Sequence, residues 1–456
     1  MLGDVEVRSE DKRIRIYTCS MILLFSLVSL CFEFWGHAWI TGHPGYWVFG
    51  DLQSLTSESV GIWNGGGIGQ IYSGSSQILI AFPGFLYFLS ALSWLTHLLG
   101  MSSPGFNYYL HAPYSGYYLA GSSWFVILPI VTTIGFLPAL AIDRLCELTG
   151  ASASRRYAVT PLALIVLAWV SVWWGHPDDA IAVGFLMWAT CTVLEGKTRK
   201  AGWLIGLGII CQPLIVLAIP ILLAIVPAKR FIGFLIRIAT PAAAALLLPL
   251  VGDPHDTIRQ VIVQPAMTDY KTPLLGLAPH VSAGQFAVPG AYMVSGGIVR
   301  SLSAVAAIAL GVWLWRWTRS ANSISPSLVV WLVGVSLSFR IVVEPVLLPY
   351  YLAPILLVLI VTISHLSLAR ECCAVACGFL AAVVISLKLP VWPYWISVLL
   401  SLGMLLLATY PSGADKFMSV RSGGASSEDE KRLSYNNLNT GLISRQMRKN
   451  LGIEWQ

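Results

Sequence analysis

Long apolar runs alternate with short polar segments along nearly the whole chain. A helix needs about 20 residues to cross a bilayer, and most of the runs approach or exceed that length. Their apolar residues are continuous rather than interleaved with polar ones, which favours helices over the strands of a membrane barrel. The pattern predicts helices over 16–40, 77–99, 122–143, 158–174, 180–195, 231–251, 301–318, 325–343, 352–369, 371–389 and 394–410.

One further run, AGWLIGLGIICQPLIVLAIPILLAIVPA over 201–228, has basic clusters at both ends. Because such clusters favour the cytoplasmic side, a single crossing does not fit, whereas two short helices that meet near Cys211-Gln212-Pro213 do. The proline lacks an N–H and the glutamine is polar, so both residues favour a break there. The chain therefore predicts an all-α, polytopic transmembrane helical bundle of about 11 to 13 membrane segments.

The basic residues predict the orientation of these helices. Arg8, Lys12, Arg13 and Arg15 precede the first helix, which favours a cytoplasmic N-terminus. The segment 43–77 contains no Lys or Arg and is expected outside. If residue 76 lies outside and residue 144 lies on the cytoplasmic side, the chain between them crosses the membrane an odd number of times. The segment that begins with Pro83 and Gly84 is therefore expected to be re-entrant or to lie along the outer surface.

The composition supports a multi-pass protein of the cell membrane. Hydrophobic residues make up 56% of the 456 residues and charged residues 11%, which excludes an ordinary soluble protein. The formal net charge is +6, but the basic residues lie between apolar runs, so we expect no nucleic-acid partner. Residues 1–410 are predicted to form the transmembrane domain, and the polar residues 411–456 a disordered cytoplasmic tail.

Unusual polar residues gather at the predicted outer ends of the helices. The segment GHPDDAI over 175–181 places a histidine and two carboxylates between apolar runs, where each charge is costly in lipid. We interpret it as an outer turn facing a cavity formed by the external loops. The candidate residues on this side are Asp51, Glu58, His176, Asp178, Asp179, Gln212, Arg300, Arg340, Glu344, Tyr350 and Tyr351.

Some of these residues also have a purely structural interpretation. Asp178 and Asp179 directly precede an apolar run and fit the start of a helix, where acidic side chains act as caps. Arg340 and Glu344 are spaced i and i+4 and fit an ion pair at a helix end. Asp51 fits a solvated loop carboxylate. Arginines on the outer side oppose the usual distribution, which favours a role such as binding a lipid phosphate.

The layout resembles the GT-C superfamily of integral-membrane glycosyltransferases over most of residues 10–410. The features in common with that superfamily are a cytoplasmic N-terminus, a long first external loop with an aspartate, and many further spans. The segment AGWLIGLGIICQPLIVLAIPILLAIVPAKR resembles the Gly-rich helix pair of that superfamily, although a lysine is common where Gln212 stands. The segment FRIVVEPVLLPYYLAPILLVL is similar to late segments of actinobacterial polyprenyl-phosphomannose-dependent enzymes, and GHPDDA resembles short polar turns between middle helices.

This resemblance implies transfer of a sugar, mannose or arabinose, from a polyprenyl-phosphate donor to a lipid or glycan acceptor on the outer face. One carboxylate then deprotonates the acceptor hydroxyl, and the polyprenyl phosphate leaves without a strong general acid. Asp51 is the candidate catalytic base, with Glu58 as the reserve. The family often has a pair of neighbouring carboxylates in the first loop, whereas Asp51 stands alone here.

The resemblance also implies binding roles for the other candidates. Arg300 and Arg340 are the available ligands for the donor phosphate, because the guanidinium fork matches phosphate oxygens. His176, Asp178 and Asp179 are expected to bind sugar hydroxyls or to help hold a divalent metal ion. The remaining candidates for substrate binding are Gln212, Glu344, Tyr350 and Tyr351.

Two other classes of function stay open. A transporter or lipid flippase would place ionisable groups near the bilayer midplane, and Glu33 in the first predicted span is such a group. A non-catalytic scaffold for envelope synthesis is the third class. The expected partners are a polyprenyl-phosphate sugar, a lipid or glycan acceptor and membrane lipid.

Overall fold

A computed structural model of the chain describes residues 2–32, 50–63, 67–72, 82–102, 122–258, 261, 266–268, 292–294, 297–320, 324–344, 347–387 and 389–411. Glu33 lies outside these residues. The side chains of Asp51 and Glu58 also lie outside the described set, although their backbone is included.

The described elements are almost entirely helical, which confirms the predicted all-α polytopic bundle. A short antiparallel pair, β1 (Ala266–Thr268) and β2 (Tyr292–Val294), aligns Ala266 with Val294. The α-helices are α1 (Leu2–Cys31), α2 (Gly50–Gly61), α3 (Pro83–Leu98), α4 (Trp124–Phe136), α5 (Pro138–Thr149), α6 (Ala153–Ala168), α7 (Pro177–Leu194), α8 (Thr198–Cys211), α9 (Ile219–Ile225), α10 (Phe231–Gly252), α11 (Pro254–Ile258), α12 (Gly297–Ser320), α13 (Pro326–Val343), α14 (Ala353–Ile363), α15 (Leu368–Ser386) and α16 (Val391–Ala408).

Within the described residues, nine helical stretches are long and apolar enough to cross a membrane. The protein is therefore a multi-pass membrane protein. Two shorter apolar helices accompany them, Pro213–Ile225 and Pro349–Ile363. The nine stretches are Ser9–Cys31, Trp124–Thr149, Ala153–Trp173, Pro177–Leu194, Ala228–Gly252, Arg300–Arg319, Pro326–Val343, Leu368–Ser386 and Val391–Ala408.

Three elements differ from the sequence-based boundaries. Helix α1 begins at Leu2, well before the predicted start at 16, because the charged N-terminal residues continue the same helix. The residues around Asp51 and Glu58 form helix α2 rather than an irregular loop. Helix α3 has only 16 residues, fewer than the roughly 20 that a perpendicular crossing needs. Its re-entrant placement stays a prediction.

The predicted break near Cys211-Gln212-Pro213 is confirmed. Helix α8 ends at Cys211, and Gln212 adopts an extended backbone with φ −154° and ψ 120°. A 3-10 segment, Pro213–Ala218, then leads into α9. The proline at 213 cannot donate a backbone hydrogen bond to the preceding turn, so the α-helical ladder ends there.

Glycines let helix α8 approach α10 closely. A Cβ atom placed on Gly206 would lie 2.7 Å from the Ile238 carbonyl oxygen and 2.7 Å from Pro241 Cγ. One turn earlier, a Cβ on Gly202 would lie 3.0 Å from the Phe234 carbonyl oxygen. Small residues at such crossings allow the backbones to pack directly, as in other helix pairs in membranes.

Ion pairs tie helices together at the end of α7 that is remote from residue 177. Arg156 is 4% exposed and donates from Nε to Asp143 at 2.8 Å and from Nη1 to Asp11 at 2.6 Å. Arg144 donates from Nη2 to Glu195 at 2.5 Å. Because these residues belong to α1, α5, α6 and the end of α7, their charges hold four segments at one end of the bundle.

The chain divides into two units, Met1–Tyr410 and Pro411–Gln456. Apart from Pro411, the second unit lies outside the described residues. The predicted disordered cytoplasmic tail therefore stays a prediction.

Candidate functional site

The GHPDDAI segment folds as the start of helix α7. A π-helical turn, Trp169–Trp173, ends the preceding helix, and Gly175 then takes φ +70°, a conformation that suits glycine. Pro177 is the first helical residue, where its missing N–H costs nothing. This turn brings the next two residues, Asp178 and Asp179, into the first turn of α7.

Both aspartates are buried in the bundle, whereas the location of this turn on the outer side stays a prediction. Asp178 and Asp179 are each 2% exposed. Neither is the N-cap residue, because that position belongs to His176, whose side chain makes no capping hydrogen bond. The proposed capping role is therefore not observed. Their charges still lie at the positive end of the helix dipole, which stabilises them.

Each of these carboxylates has one oxygen that lacks a hydrogen-bond partner among the described residues. The two atoms are Oδ1 of Asp178 and Oδ1 of Asp179. The imidazole Nδ1 of His176 lies 3.8 Å from Asp178 Oδ1. Asp179 interacts with the charge of Arg340 and with the amide of Gln212. A buried carboxylate oxygen without a protein partner points to a polar ligand or an ordered water.

Two arginines share one buried glutamate beside this pair. Glu344 is 1% exposed and accepts a hydrogen bond from Arg340 Nε at 3.1 Å. Its other oxygen accepts from Nε and Nη2 of Arg300, at 3.2 and 3.1 Å. The ion pair expected from the i, i+4 spacing is therefore confirmed, and Arg300 joins it from 44 residues away in the chain.

Arg340 keeps part of its guanidinium available. Its Cζ lies 3.9 Å from the centroid of the Tyr351 ring, so the group also stacks on an aromatic face. Its terminal nitrogens make no hydrogen bond to the described residues, because the bond to Glu344 uses Nε alone. A guanidinium held in this way presents the edge formed by its two terminal nitrogens to an incoming anion.

Aromatic rings connect the start of α7 with the 3-10 segment Pro349–Leu352. The His176 ring stacks on Tyr350 with centroids 3.9 Å apart and planes inclined by 20°. The Trp174 ring lies 5.6 Å from Tyr350, and the ring of Tyr351 meets Tyr350 edge-on at 4.7 Å. Such contacts fix the rings in place and close one side of the site with flat surfaces.

The structure thus brings all nine predicted binding residues together. We call this set the polar cluster: His176, Asp178, Asp179, Gln212, Arg300, Arg340, Glu344, Tyr350 and Tyr351. The predicted catalytic residues Asp51 and Glu58 lie on α2, which packs against α3, and their side chains are outside the described residues. Their relation to the polar cluster stays a prediction.

Trp174 was missed by the sequence interpretation. Its ring contacts Tyr350, and its Nε1 has no hydrogen-bond partner among the described residues. The available signal was its position two residues before His176, but tryptophans near membrane surfaces are usually interface anchors.

The polar cluster contains three carboxyl groups and two guanidinium groups. Its surplus acceptors suit hydrogen-bond donors such as hydroxyl groups. Among the described residues, no group of three or more His, Cys, Asp or Glu side chains is arranged to hold a metal ion. Within the described residues, a metal ion would therefore receive only part of its coordination shell from Asp178, Asp179 and His176.

No protein-family model matches this chain, and no curated protein matches it either. The polar cluster is therefore the basis for assigning a function.

Proposed function

We propose that the protein is a membrane glycosyltransferase that takes mannose or arabinose from a polyprenyl-phosphate donor and transfers it to a lipid or glycan acceptor. In this proposal the polar cluster lies on the extracytoplasmic side of the cell membrane, and both termini are cytoplasmic. The observation that carries it is the buried pair Asp178 and Asp179, each with an unpartnered oxygen, beside two arginines.

This arrangement suits a sugar phosphate because it offers two kinds of group side by side. The free oxygens of Asp178 and Asp179 accept hydrogen bonds from sugar hydroxyls. The terminal nitrogens of Arg340 bind the donor phosphate, and the Tyr351 ring beneath keeps the guanidinium plane oriented. The aromatic face of Tyr350 adds an apolar wall of the kind that packs against a sugar ring.

The transfer needs one base and one leaving group. The acceptor oxygen forms a bond to the anomeric carbon, while the bond from that carbon to the phosphate oxygen breaks. Polyprenyl phosphate leaves with the electron pair, and its charge is stabilised by Arg340. The acceptor proton passes to a carboxylate. We propose Asp51 as this base with Glu58 in reserve, and Asp179 is the alternative that the geometry adds.

The test is incorporation of radiolabelled mannose or arabinose from the polyprenyl-phosphate donors into lipid acceptors, in membranes that contain the protein. We expect transfer by the wild type and its loss in Asp51→Asn. Asp179→Asn is expected to raise the donor KM if it only binds the sugar, and to abolish kcat if it is the base. Glu371→Gln, which alters an ion pair with Arg155, is the control and should keep full activity. Equal incorporation in wild type, variants and empty membranes contradicts the proposal.

A transporter or lipid flippase is the second candidate, because the Asp179 carboxylate lies beside the break in the helix pair at Gln212. Interrupted helices beside buried charges are typical of transporter binding sites. Reconstituted proteoliposomes distinguish the two functions. Movement of a labelled polyprenyl-phosphate sugar between leaflets, without any transfer to acceptor and with loss in Asp179→Asn, would favour the flippase over the transferase.

A further inference from the structure

Buried hydroxyl groups in this bundle usually bond to a carbonyl one turn back in their own helix. Thr160 Oγ1 donates to the Arg156 carbonyl at 3.0 Å, and Ser401 Oγ donates to the Val398 carbonyl at 3.0 Å. Such local bonds satisfy a hydroxyl where no water is available. A buried hydroxyl without one therefore needs another polar partner.

Two buried hydroxyls near the start of α7 lack such a local hydrogen bond. Thr132 is 1% exposed and Ser171 is fully buried, and neither side-chain oxygen has a hydrogen-bond partner among the described residues. Three other buried hydroxyls share this property, those of Thr18, Ser26 and Ser123. Only Thr132 and Ser171 belong to the segments that meet at the start of α7, as the next contacts establish.

Gly135 lies close to Ser171 and on the same helix as Thr132. A Cβ atom placed on Gly135 would lie 2.9 Å from Ser171 Oγ and 3.7 Å from Pro177 Cβ. The hydroxyl of Ser171 thus points across to α4 instead of back along its own helix. Thr132 lies one turn before Gly135 on α4 and so projects from the same face. Pro177 immediately precedes Asp178.

The π-helical turn accounts for the direction of Ser171. The Trp174 N–H donates to the Trp169 carbonyl at 3.1 Å, which is the i to i+5 pattern of a π-turn. The next bond, from the His176 N–H to the Val170 carbonyl, closes the turn at 3.0 Å. Such turns occur often at functional sites because they change the direction of side chains.

We propose that Thr132, Ser171 and Trp174 form, with Asp178, a subsite for the hydroxyl groups of the donor sugar. Two hydroxyls that donate and accept, one indole N–H and one carboxylate oxygen match the mixed donor and acceptor groups of a sugar ring. Because Gly135 has no Cβ, Ser171 Oγ can approach α4 at this point. This inference rests on the proposed function, since it names the part of the same site that recognises the sugar.

The test compares two lipids in a binding assay on the purified full-length protein in nanodiscs. One is radiolabelled polyprenyl-phosphate mannose, and the other is polyprenyl phosphate without the sugar. We expect the wild type to bind the mannosylated lipid more tightly. Thr132→Val and Ser171→Ala should each weaken its binding by about 5- to 10-fold while binding of the bare lipid is unchanged. Gly135→Ala should act in the same direction, because its Cβ would press on Ser171 Oγ.

The matched controls are Thr160→Val and Ser401→Ala, which remove buried hydroxyls that already have partners. They should not change the affinity for either lipid. Unchanged affinity in Thr132→Val and Ser171→Ala, equal losses for both lipids, or equal binding of both lipids by the wild type each overturns the proposal. In the first of these cases ordered water is the partner of the two hydroxyls.

A second measurement uses the wild-type protein, so it tests the subsite even if the variants fail to fold. Donors in which single mannose hydroxyls are replaced by hydrogen should bind less tightly, and no loss at any position overturns the proposal. The readout is binding, so it is independent of catalysis. Sugar-dependent binding without transfer would contradict the proposed glycosyltransferase alone, whereas transfer without any effect of these variants would contradict the subsite alone.

Discussion

The imidazole ring of His176 stacks on the phenol ring of Tyr350, with the ring centroids 3.9 Å apart. Tyr350 is 8% exposed and also meets Trp174 and Tyr351. Tyr350 therefore connects the start of α7 with the segment before α14. Tyr350 thus packs against the imidazole that lies 3.8 Å from Asp178.

Replacing Tyr350 tests whether the ring holds the site together. Tyr350→Ala removes an aromatic ring that has contacts on three sides, so we expect the free energy of unfolding to fall by about 2 to 4 kcal/mol. Tyr350→Phe keeps the ring and should cost less than about 1 kcal/mol. The midpoint of thermal unfolding in detergent measures both. As a control, Tyr410→Ala removes a 42% exposed ring and should have a small effect. Equal shifts for the two alanine variants would contradict this role of Tyr350.

Glu344 is the shared anion of two arginines, so its charge should be hard to replace. In Glu344→Gln the isosteric amide leaves Arg300 and Arg340 without their shared anion. Breaking such a pair from one side is costly, and since both arginines are partly exposed we expect about 1 to 3 kcal/mol. Chemical denaturation at low and high salt measures the change. Glu10→Gln, at an exposed position, is the control and should be neutral. A neutral Glu344→Gln would mean that the cluster does not need this charge.

Much of the fold follows from local signals in the sequence. The apolar runs predict the spans, and Gln212 with Pro213 predicts the break in the helix pair. The spacing of Arg340 and Glu344 predicts their ion pair. These features depend on residues close together in the chain, so periodicity and turn chemistry are sufficient.

The assembly of the site depends on contacts that sequence spacing does not encode. Arg300 reaches Glu344 from another helix, and His176 meets Tyr350 across a separation of more than a hundred residues. The burial of Asp178 and Asp179 also follows from how α7 packs, because the same Pro-Asp-Asp pattern fits an exposed helix start. A single sequence gives the candidate residues but does not say which of them meet.

The crossing of α8 and α10 should be sensitive to one methyl group. In Gly206→Ala the new Cβ would lie 2.7 Å from the Ile238 carbonyl oxygen, so the helices must separate. We expect a loss of about 1 to 3 kcal/mol, as for other overpacked contacts. Gly403→Ala is the matched control, because nothing lies within 4 Å of its Cβ position on α16. That variant should be neutral or slightly stabilising, since alanine favours a helix. Comparable destabilisation of both would contradict the close crossing.

The ion pairs at the C-terminal end of α7 predict that the stability of the protein depends on pH. Lys197 lies 2.7 Å from Glu195, and with Arg144 it holds the pKa of the Glu195 carboxyl below its usual 4.5. A carboxyl whose pKa is lower in the folded state stabilises the fold above its unfolded pKa. That contribution is lost as the pH falls through the folded pKa.

Glu195→Gln measures this contribution, because the amide does not titrate. We expect the wild type to be more stable than the variant at pH 7, and the difference to shrink only once the pH drops below about 4.5. Thermal unfolding midpoints of both proteins between pH 3 and 7 provide the comparison. The same Glu195→Gln comparison can be repeated in proteins that also carry Lys197→Met or Arg144→Met. Lys197→Met should reduce the stability difference only slightly, since Lys197 is 64% exposed and solvent screens its charge. Arg144→Met should remove most of that difference. A difference between wild type and Glu195→Gln that stays constant down to pH 3 would mean that the Glu195 carboxylate does not stabilise this end of the bundle.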